Sequence, residues 1–327
     1  MKALPLAFSV SPRVATTDDG WGAAFDVAEL SERFGFNGML IFTGNDVILD
    51  PWLVAQGVLE RTQSLSPLIA VNPVYMHPFT AAKMISSLVR LYGRKLHINM
   101  VTGTALTYQH ALGDQCSHDD RYTRLGEYIA IMKSLLSNQK PITQKGKYYS
   151  VDQLQLFPGI ESRFQPEFML SGQSDAARQV CRGTGSVGTQ MLPADLEQGI
   201  VDVPGIHFGI ITRPTEEEAW RVAKALFPTN EEDQAVLDYS MLNTDSTWKI
   251  SLKRQADTPT STAKGYWLEP FANMKADCPY LVGSYDFVSD RVDKLMQRGI
   301  SHFIFDIPPI EEEFFHVSAM MRIQSSK

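Results

Sequence analysis

At 327 residues, with 44% hydrophobic and 20% charged side chains, the chain has the composition of a soluble globular enzyme, long enough for one (β/α)8 barrel or two ordinary domains. A net charge of −7 without any Lys/Arg cluster argues against a nucleic-acid partner, and no apolar run reaches the roughly 18 residues that a membrane-spanning helix needs. The three cysteines, Cys116, Cys181 and Cys278, share no CxxC or metal-like spacing, which fits unpaired thiols and a cytoplasmic location.

The chain opens on a strand from Leu4 to Val10, which Ser11-Pro12 ends. Pro5 and Pro12 bracket only about six apolar positions, so the stretch reads as a first strand and not as a signal peptide. Residues 13–22 are polar and read as a long loop. Phe25, Val27, Ala28 and Leu30 recur at helical spacing over Ala24 to Phe34, and Gly35 stops that helix. A second strand from Gly38 to Phe42 follows, then a loop beginning at Thr43, then a helix opened by Pro51.

The clearest stretch is Ser66–Thr104. Leu68 to Val71 is an apolar run, Ala81 to Leu91 carries a helical apolar stripe, and Leu96, Ile98 and Met100 form the next strand. This is one βαβ unit, hence two parallel strands with a right-handed crossover. Polar Asn99 interrupts the last strand, and Thr102-Gly103-Thr104 follows its C-terminal end, where parallel folds place ligands.

Residues 105–117 read as a loop, and a helix starts at His118 and reaches about Ser137. The alternation over 144–158 predicts a small hairpin. A fifth strand, Phe168 to Ser171, leads through Gly172-Gln173-Ser174 straight into a helix; Ser186 to Leu192 and residues 207–213 are the sixth and seventh strands. Thr215 with Glu218 forms a capping box. Residues 228–280 lack clear periodicity, and 228–275 is expected to be an insertion or lid. A helix from Tyr285 to Arg298, an eighth strand from His302 to Asp306 and a helix from Glu311 complete the chain. Eight strands alternating with helices predict a single (β/α)8 TIM barrel over residues 1–327.

Among the residues that can carry chemistry, Ser171-Gly172-Gln173-Ser174 stands at a helix N-terminus. It is readable either as ordinary capping by Ser174 or as a cradle for phosphate. His118 and Tyr122, four apart, project from one helix face and are readable either as a solvated first turn or as two further donors. GTGSVG at 183–188 lies at a helix C-terminus and is not a dinucleotide fingerprint. No GxSxG, P-loop or HExxH occurs, the seven histidines lack metal spacing, and Glu311-Glu312-Glu313 reads as a solvated helix start. No protein-borne nucleophile stands out, so a bound cofactor is expected to carry the chemistry.

The segment AVNPVYMHPFTAAKMISSLVRLYGRKLHINMVTG resembles the luciferase-like flavin monooxygenases, in their alkanesulfonate monooxygenase branch. HDDRY is similar to that branch's HDERY, SGQSDAA to its GGSSDAA, and TRPTEEEAW to its VRETEEEAW. LVGSYDFVSDRVDKLMQRGISHFIF resembles its closing helix and strand. The five blocks occur in family order and span most of the chain outside roughly 228–275. The resemblance implies a TIM barrel that binds reduced FMN (FMNH2) from a separate NAD(P)H:flavin reductase and uses O2, through a peroxyflavin, to oxygenate a small organic molecule. Asn99 and Thr102 would lie against the flavin ring, and His118, Tyr122, Gly172, Gln173 and Ser174 would hold the ribityl-phosphate end. Thr43 and Ser171 complete the candidate cofactor-binding set. A homo-oligomer is expected, and no metal.

The sequence departs from the branch where sulfonate is handled. An Arg and a His on the seventh strand are replaced by His207 and Gly209, an Arg after the third strand by Asn72, and a Tyr near the eighth by Pro308. The Cys after the second strand falls near Ile48, and a mobile-loop Arg is absent, with Lys275 as a stand-in. The candidate catalytic residues are therefore His207, Asn72 and Lys275, Gly209 is expected to widen the pocket, and a non-sulfonate substrate of a specialised biosynthetic pathway is expected. A deazaflavin-dependent oxidoreductase and a non-catalytic flavin-binding homologue are the alternatives.

Overall fold

The computed structural model describes residues 5–12, 20–45, 47–137, 140–197, 199–200, 203–258 and 263–325. Leu4, residues 13–19 of the first loop, and Pro259 in the 228–275 segment lie outside the described residues. The first half runs β1 (Leu6–Val10), α1 (Gly20–Arg33), β2 (Gly38–Ile41), α2 (Pro51–Arg61), β3 (Ser66–Val71), α3 (Pro78–Tyr92), β4 (His97–Met100), α4 (Leu106–Ala111) and α5 (His118–Ser137). A hairpin of β5 (Ile142–Lys145) and β6 (Ser150–Leu154) follows, then β7 (Glu167–Ser171), α6 (Asp175–Thr184), β8 (Val187–Met191) and β9 (Gly205–Arg213). The last third is α7 (Glu216–Leu226), α8 (Asp233–Leu242), α9 (Thr247–Ala256), β10 (Tyr266–Trp267), α10 (Glu269–Ala272), β11 (Tyr280–Ser284), α11 (Tyr285–Gln297), β12 (His302–Asp306) and α12 (Glu311–Ser325).

Strands β1, β2, β3, β4, β7, β8, β9 and β12 pair in parallel in that order, and β12 returns to β1, which closes an eight-stranded barrel. These are the eight strands expected from the sequence, within two residues at each end. Strand β11 is additional. It pairs with the upper half of the nine-residue β9, from Gly209 to Arg213, outside the closed ring, and β10 pairs antiparallel with it. The sequence reading missed it because Tyr280–Ser284 abuts α11 with no turn residue between them.

The period-two alternation of each strand divides the barrel. One face of each strand, carrying Met39, Ile41, Ile69, Val71, Ile98, Met100, Phe168 and Leu170, packs outward against the helices. The other face fills the interior, where Phe8, Leu40, Leu68, Met169 and Ile304 form an apolar layer. Below that layer, at the N-terminal ends of the strands, Glu167 accepts a hydrogen bond from His302 at 3.0 Å, and His97 Nδ1 lies 3.4 Å from the same oxygen. These two neighbours, His302 foremost, hold the Glu167 carboxyl far below its usual range. Above the apolar layer polar side chains join the inward face, and Asn99 is one of them: register pairs it with Ala70 and Met169. The same alternation that makes Leu68 core makes Asn99 the start of a site.

Helix ends follow their sequence signals. Asp50, Ser174, Thr215 and Ser284 cap α2, α6, α7 and α11, and Gly93 and Gly185 stop α3 and α6 in the left-handed conformation. Among the described residues no helix is long and apolar enough to cross a membrane, and none of the three cysteines forms a disulfide.

Candidate active site

The polar layer opens into a cavity at the C-terminal ends of the barrel strands. Leu40 and Thr43, Ala70, Asn99, Thr102, Ser171, Met191 and His207 bring one wall each from successive strands and their loops. Asn99 Oδ1 accepts a hydrogen bond from Ser171 Oγ at 2.9 Å, which ties β4 to β7 beneath the cavity. Above this pair, buried Tyr122, from the first turn of α5, has its hydroxyl beside Thr102 and Ser174. Burial raises its pKa, so it stays protonated and able to donate.

Ser174 is the N-cap of α6: its Oγ accepts from Ala177 N at 3.2 Å, and its own hydroxyl hydrogen remains to be given. Gly172 is required here for space. A Cβ on it would lie 2.4 Å from Tyr122 Oη and 2.9 Å from the Ala177 Cβ, so only glycine lets the strand end approach the tyrosine. Gly172 and Gln173 line a small annex that shares Ser171, Met191, His207 and Trp248 with the main cavity. The His118 ring stands 5.1 Å from that of Tyr122 and its Nδ1 is 2.7 Å from Asp119 Oδ1. The structure thus gathers Thr43, Asn99, Thr102, His118, Tyr122, Ser171, Gly172, Gln173 and His207 around one cavity and its annex, with Ser174 adjoining Tyr122.

Two candidates fall elsewhere. Asn72 lines a second cavity that joins the first through Thr43, Val47 and Ala70, and its Oδ1 accepts from Val74 N at 3.1 Å. Lys275 is not at the cavity at all: its Nζ stands 3.7 Å from Asp233 Oδ1, and only Asp277, two residues on, reaches the lining. Gly209 does not widen the pocket, because the Tyr280 ring fills its space; a Cβ there would lie 2.1 Å from Tyr280 Cε2.

The sequence marks 228–275 as an insertion or lid without singling out which of its residues meet the cavity. Asp245, Ser246, Thr247 and Trp248, at the junction of α8 and α9, cover the cavity from above. Arg121 holds them there: its Nη2 donates to both Asp245 oxygens at 2.6 and 2.8 Å across 124 residues of sequence. Asn243 adds two bonds to α4, its carbonyl accepting from Leu106 N and its side chain from Thr107 N. Only the Arg within HDDRY was a visible signal, and its partner lay in a stretch without periodicity.

Residues 4–199 match the luciferase-like monooxygenase family. The chain belongs to that family. As a luciferase-like monooxygenase it is an oxidoreductase, and the family typically uses reduced flavin. It is 30% identical over 307 residues to the 4-(gamma-L-glutamylamino)butanoyl-[BtrI acyl-carrier protein] monooxygenase BtrO of Niallia circulans, spanning 90% of this chain and 89% of that one. The fold is similar to the EDTA monooxygenase EmoA of Chelativorans sp. BNC1, with a TM-score of 0.72 at 17% identity over 99% and 95% of the two chains. It is also similar to the oxygenating constituent of 3,6-diketocamphane monooxygenase from the CAM plasmid of Pseudomonas putida, solved in complex with FMN: TM-score 0.68, 16% identity, 99% and 98% coverage.

Proposed function

We propose that this luciferase-like monooxygenase uses reduced FMN, delivered by a separate NAD(P)H:flavin reductase, to oxygenate a neutral or polar organic substrate, and that the substrate is an acyl group presented on a carrier protein. The observation that carries the cofactor reading is the Tyr122 hydroxyl set beside Thr102, Ser174 and the Gly172 backbone at the N-terminus of α6. A helix N-terminus with a tyrosine and a serine hydroxyl beside it offers several donors to one phosphate. The Gly172 backbone leaves no room for a side chain between them, as a close-fitting cradle requires. The residues therefore fit FMN: Tyr122, Ser174, His118, Gly172 and Gln173 would hold the phosphate end, and Thr43, Asn99, Thr102 and Ser171 would line the ring.

When bound, reduced flavin supplies the electrons that activate dioxygen. The protein's contribution is to hold it at the barrel mouth and keep water away. Residues 228–275 would serve the second purpose as a lid, with Trp248 over the cavity and Asp245 latched to Arg121. The substrate reading draws on similarity to BtrO and on the second cavity, whose Trp52, Tyr75, Met76 and Tyr108 suit a neutral chain better than an anion.

Ser174→Ala and Tyr122→Phe each remove one donor to a charged acceptor, worth about 1.5–3 kcal/mol, or roughly 10- to 100-fold in affinity. Anaerobic titration with reduced FMN is expected to show that loss in both variants with the fold intact. Parental affinity in both would place the phosphate elsewhere.

A further inference from the structure

Behind His207 lies a group of side chains that flavin binding does not use. Gly209 faces the interior two residues after His207, and register pairs it with Tyr280 of β11 on one side and Asp306 of β12 on the other. With no side chain at Gly209, the Tyr280 ring crosses the strand and its Oη donates to Asp306 Oδ1 at 3.0 Å. The thiol of buried Cys278 donates to the other oxygen, Oδ2, at 3.7 Å. A ring nitrogen of His207, Cys278 Sγ and an Asp306 oxygen all lie within 4.8 Å of one another. Tyr280 is fully buried; burial, and then the Asp306 charge, drive its pKa well up, so it remains a donor.

We propose that Asp306 is a positioning residue for His207, holding the imidazole at the cavity wall and stabilising its protonated form. The role of His207 as the acid/base rests on the oxygenation reading above; the placement of the carboxylate does not. Asp306 is half-buried, and a carboxylate partly withdrawn from water is stabilised by compensation on both oxygens. Tyr280 and Cys278 each give it one hydrogen bond, and the group beside it that can add positive charge is His207. His207 then accepts a proton from an O–H or N–H of the bound substrate, carries the charge opposite Asp306, and returns the proton to the product. From β8 the register neighbour of His207 is Met191, and Trp248 of α9 shares its annex. Asp277, His118, Tyr122 and the Arg121–Asp245 pair line the same cavity.

The test is a histidine titration by NMR on the full, flavin-free chain, with His207→Gln identifying its signal among the seven histidines. Asp306→Asn is expected to lower the His207 midpoint by about one pH unit or more, since an opposite charge at this range shifts a pKa by one to three units. Tyr280→Phe, which keeps the carboxylate but removes a donor from it, is expected to move the midpoint upward, and it carries the test where Asp306→Asn does not fold. An unchanged midpoint in the folded variants would overturn the proposal. So would a stoichiometric divalent cation held by His207, Cys278 and Asp306 in the purified protein. Loss of flavin binding does not enter this titration, so the cofactor reading and the role of Asp306 fail separately.

Discussion

Replacing Glu313 by alanine is expected to lower the unfolding free energy by about 3–5 kcal/mol, because it strands a buried guanidinium. Arg213 ends β9 with its side chain 1% exposed, and Glu313 in the first turn of α12 is 3% exposed. Arg213 Nη1 donates to Glu313 Oε2 at 3.0 Å and to the Thr212 carbonyl at 2.8 Å, while Nη2 donates to Glu313 Oε1. The pair closes the helix onto the strand that carries His207. Alanine leaves the positive charge without a counter-ion in a place water does not reach. Replacing both residues together, Arg213 by Met and Glu313 by Leu, is expected to recover most of the loss, since the penalty belongs to the uncompensated charge. Urea unfolding with an unchanged slope measures it. A loss below about 1 kcal/mol, the worth of a surface pair, would contradict this account.

Simple alkanesulfonates are expected to release no sulfite. A sulfonate is a permanent anion, and burying it requires cations or several strong donors. Of the cavity lining, Arg121 is already committed to both oxygens of Asp245, and its Nη1 to the Cys116 carbonyl. Asp277 adds a further acid to the wall. Lys275, the stand-in for the family's mobile-loop arginine, is at Asp233. His207 carries charge only when protonated, and Asp306 behind it offsets that charge. The space at Gly209, the second of the two seventh-strand positions where the alkanesulfonate branch carries an Arg and a His, is filled by the Tyr280 ring. Incubation of a panel of short and medium alkanesulfonates with reduced FMN and oxygen should therefore give sulfite at the level of the enzyme-free control. Turnover of about 1 s⁻¹ or more, near that of ordinary metabolic enzymes, would show that residues outside this lining supply the missing cations.

The parts of this fold that were legible in the sequence are those specified locally. The βαβ unit from Ser66 to Thr104 is written in period-two and period-3.6 apolar patterns, and the N-cap at Ser174 in its position between a strand and a helix. The reach of Tyr122 to Ser174 came from family resemblance, not from spacing. What stayed hidden depends on pairing across long separations. Glu311-Glu312-Glu313 reads as a solvated helix start, which holds for exposed Glu311 and Glu312 but not for Glu313, whose partner is 100 residues away. Arg121 finds Asp245, and Tyr280 crosses Gly209 to reach Asp306, only once the barrel closes and β11 adds to β9. Trp248 was invisible because α9 has no strong apolar stripe to announce it.

The central claim, that FMN binds with its phosphate at the N-terminus of α6, is tested most directly by comparing reduced FMN, reduced riboflavin and reduced FAD in anaerobic titrations of the unaltered protein. Riboflavin has the same ring and ribityl chain and lacks only the phosphate. Several charge-assisted hydrogen bonds at Tyr122, Ser174 and the helix terminus predict that reduced FMN binds about 100-fold or more tightly than reduced riboflavin. FAD is expected to bind more weakly than FMN, because the cradle at Gly172 is closely bounded and no dinucleotide fingerprint is present. Equal affinity for riboflavin and FMN, or tighter binding of FAD, would contradict the account.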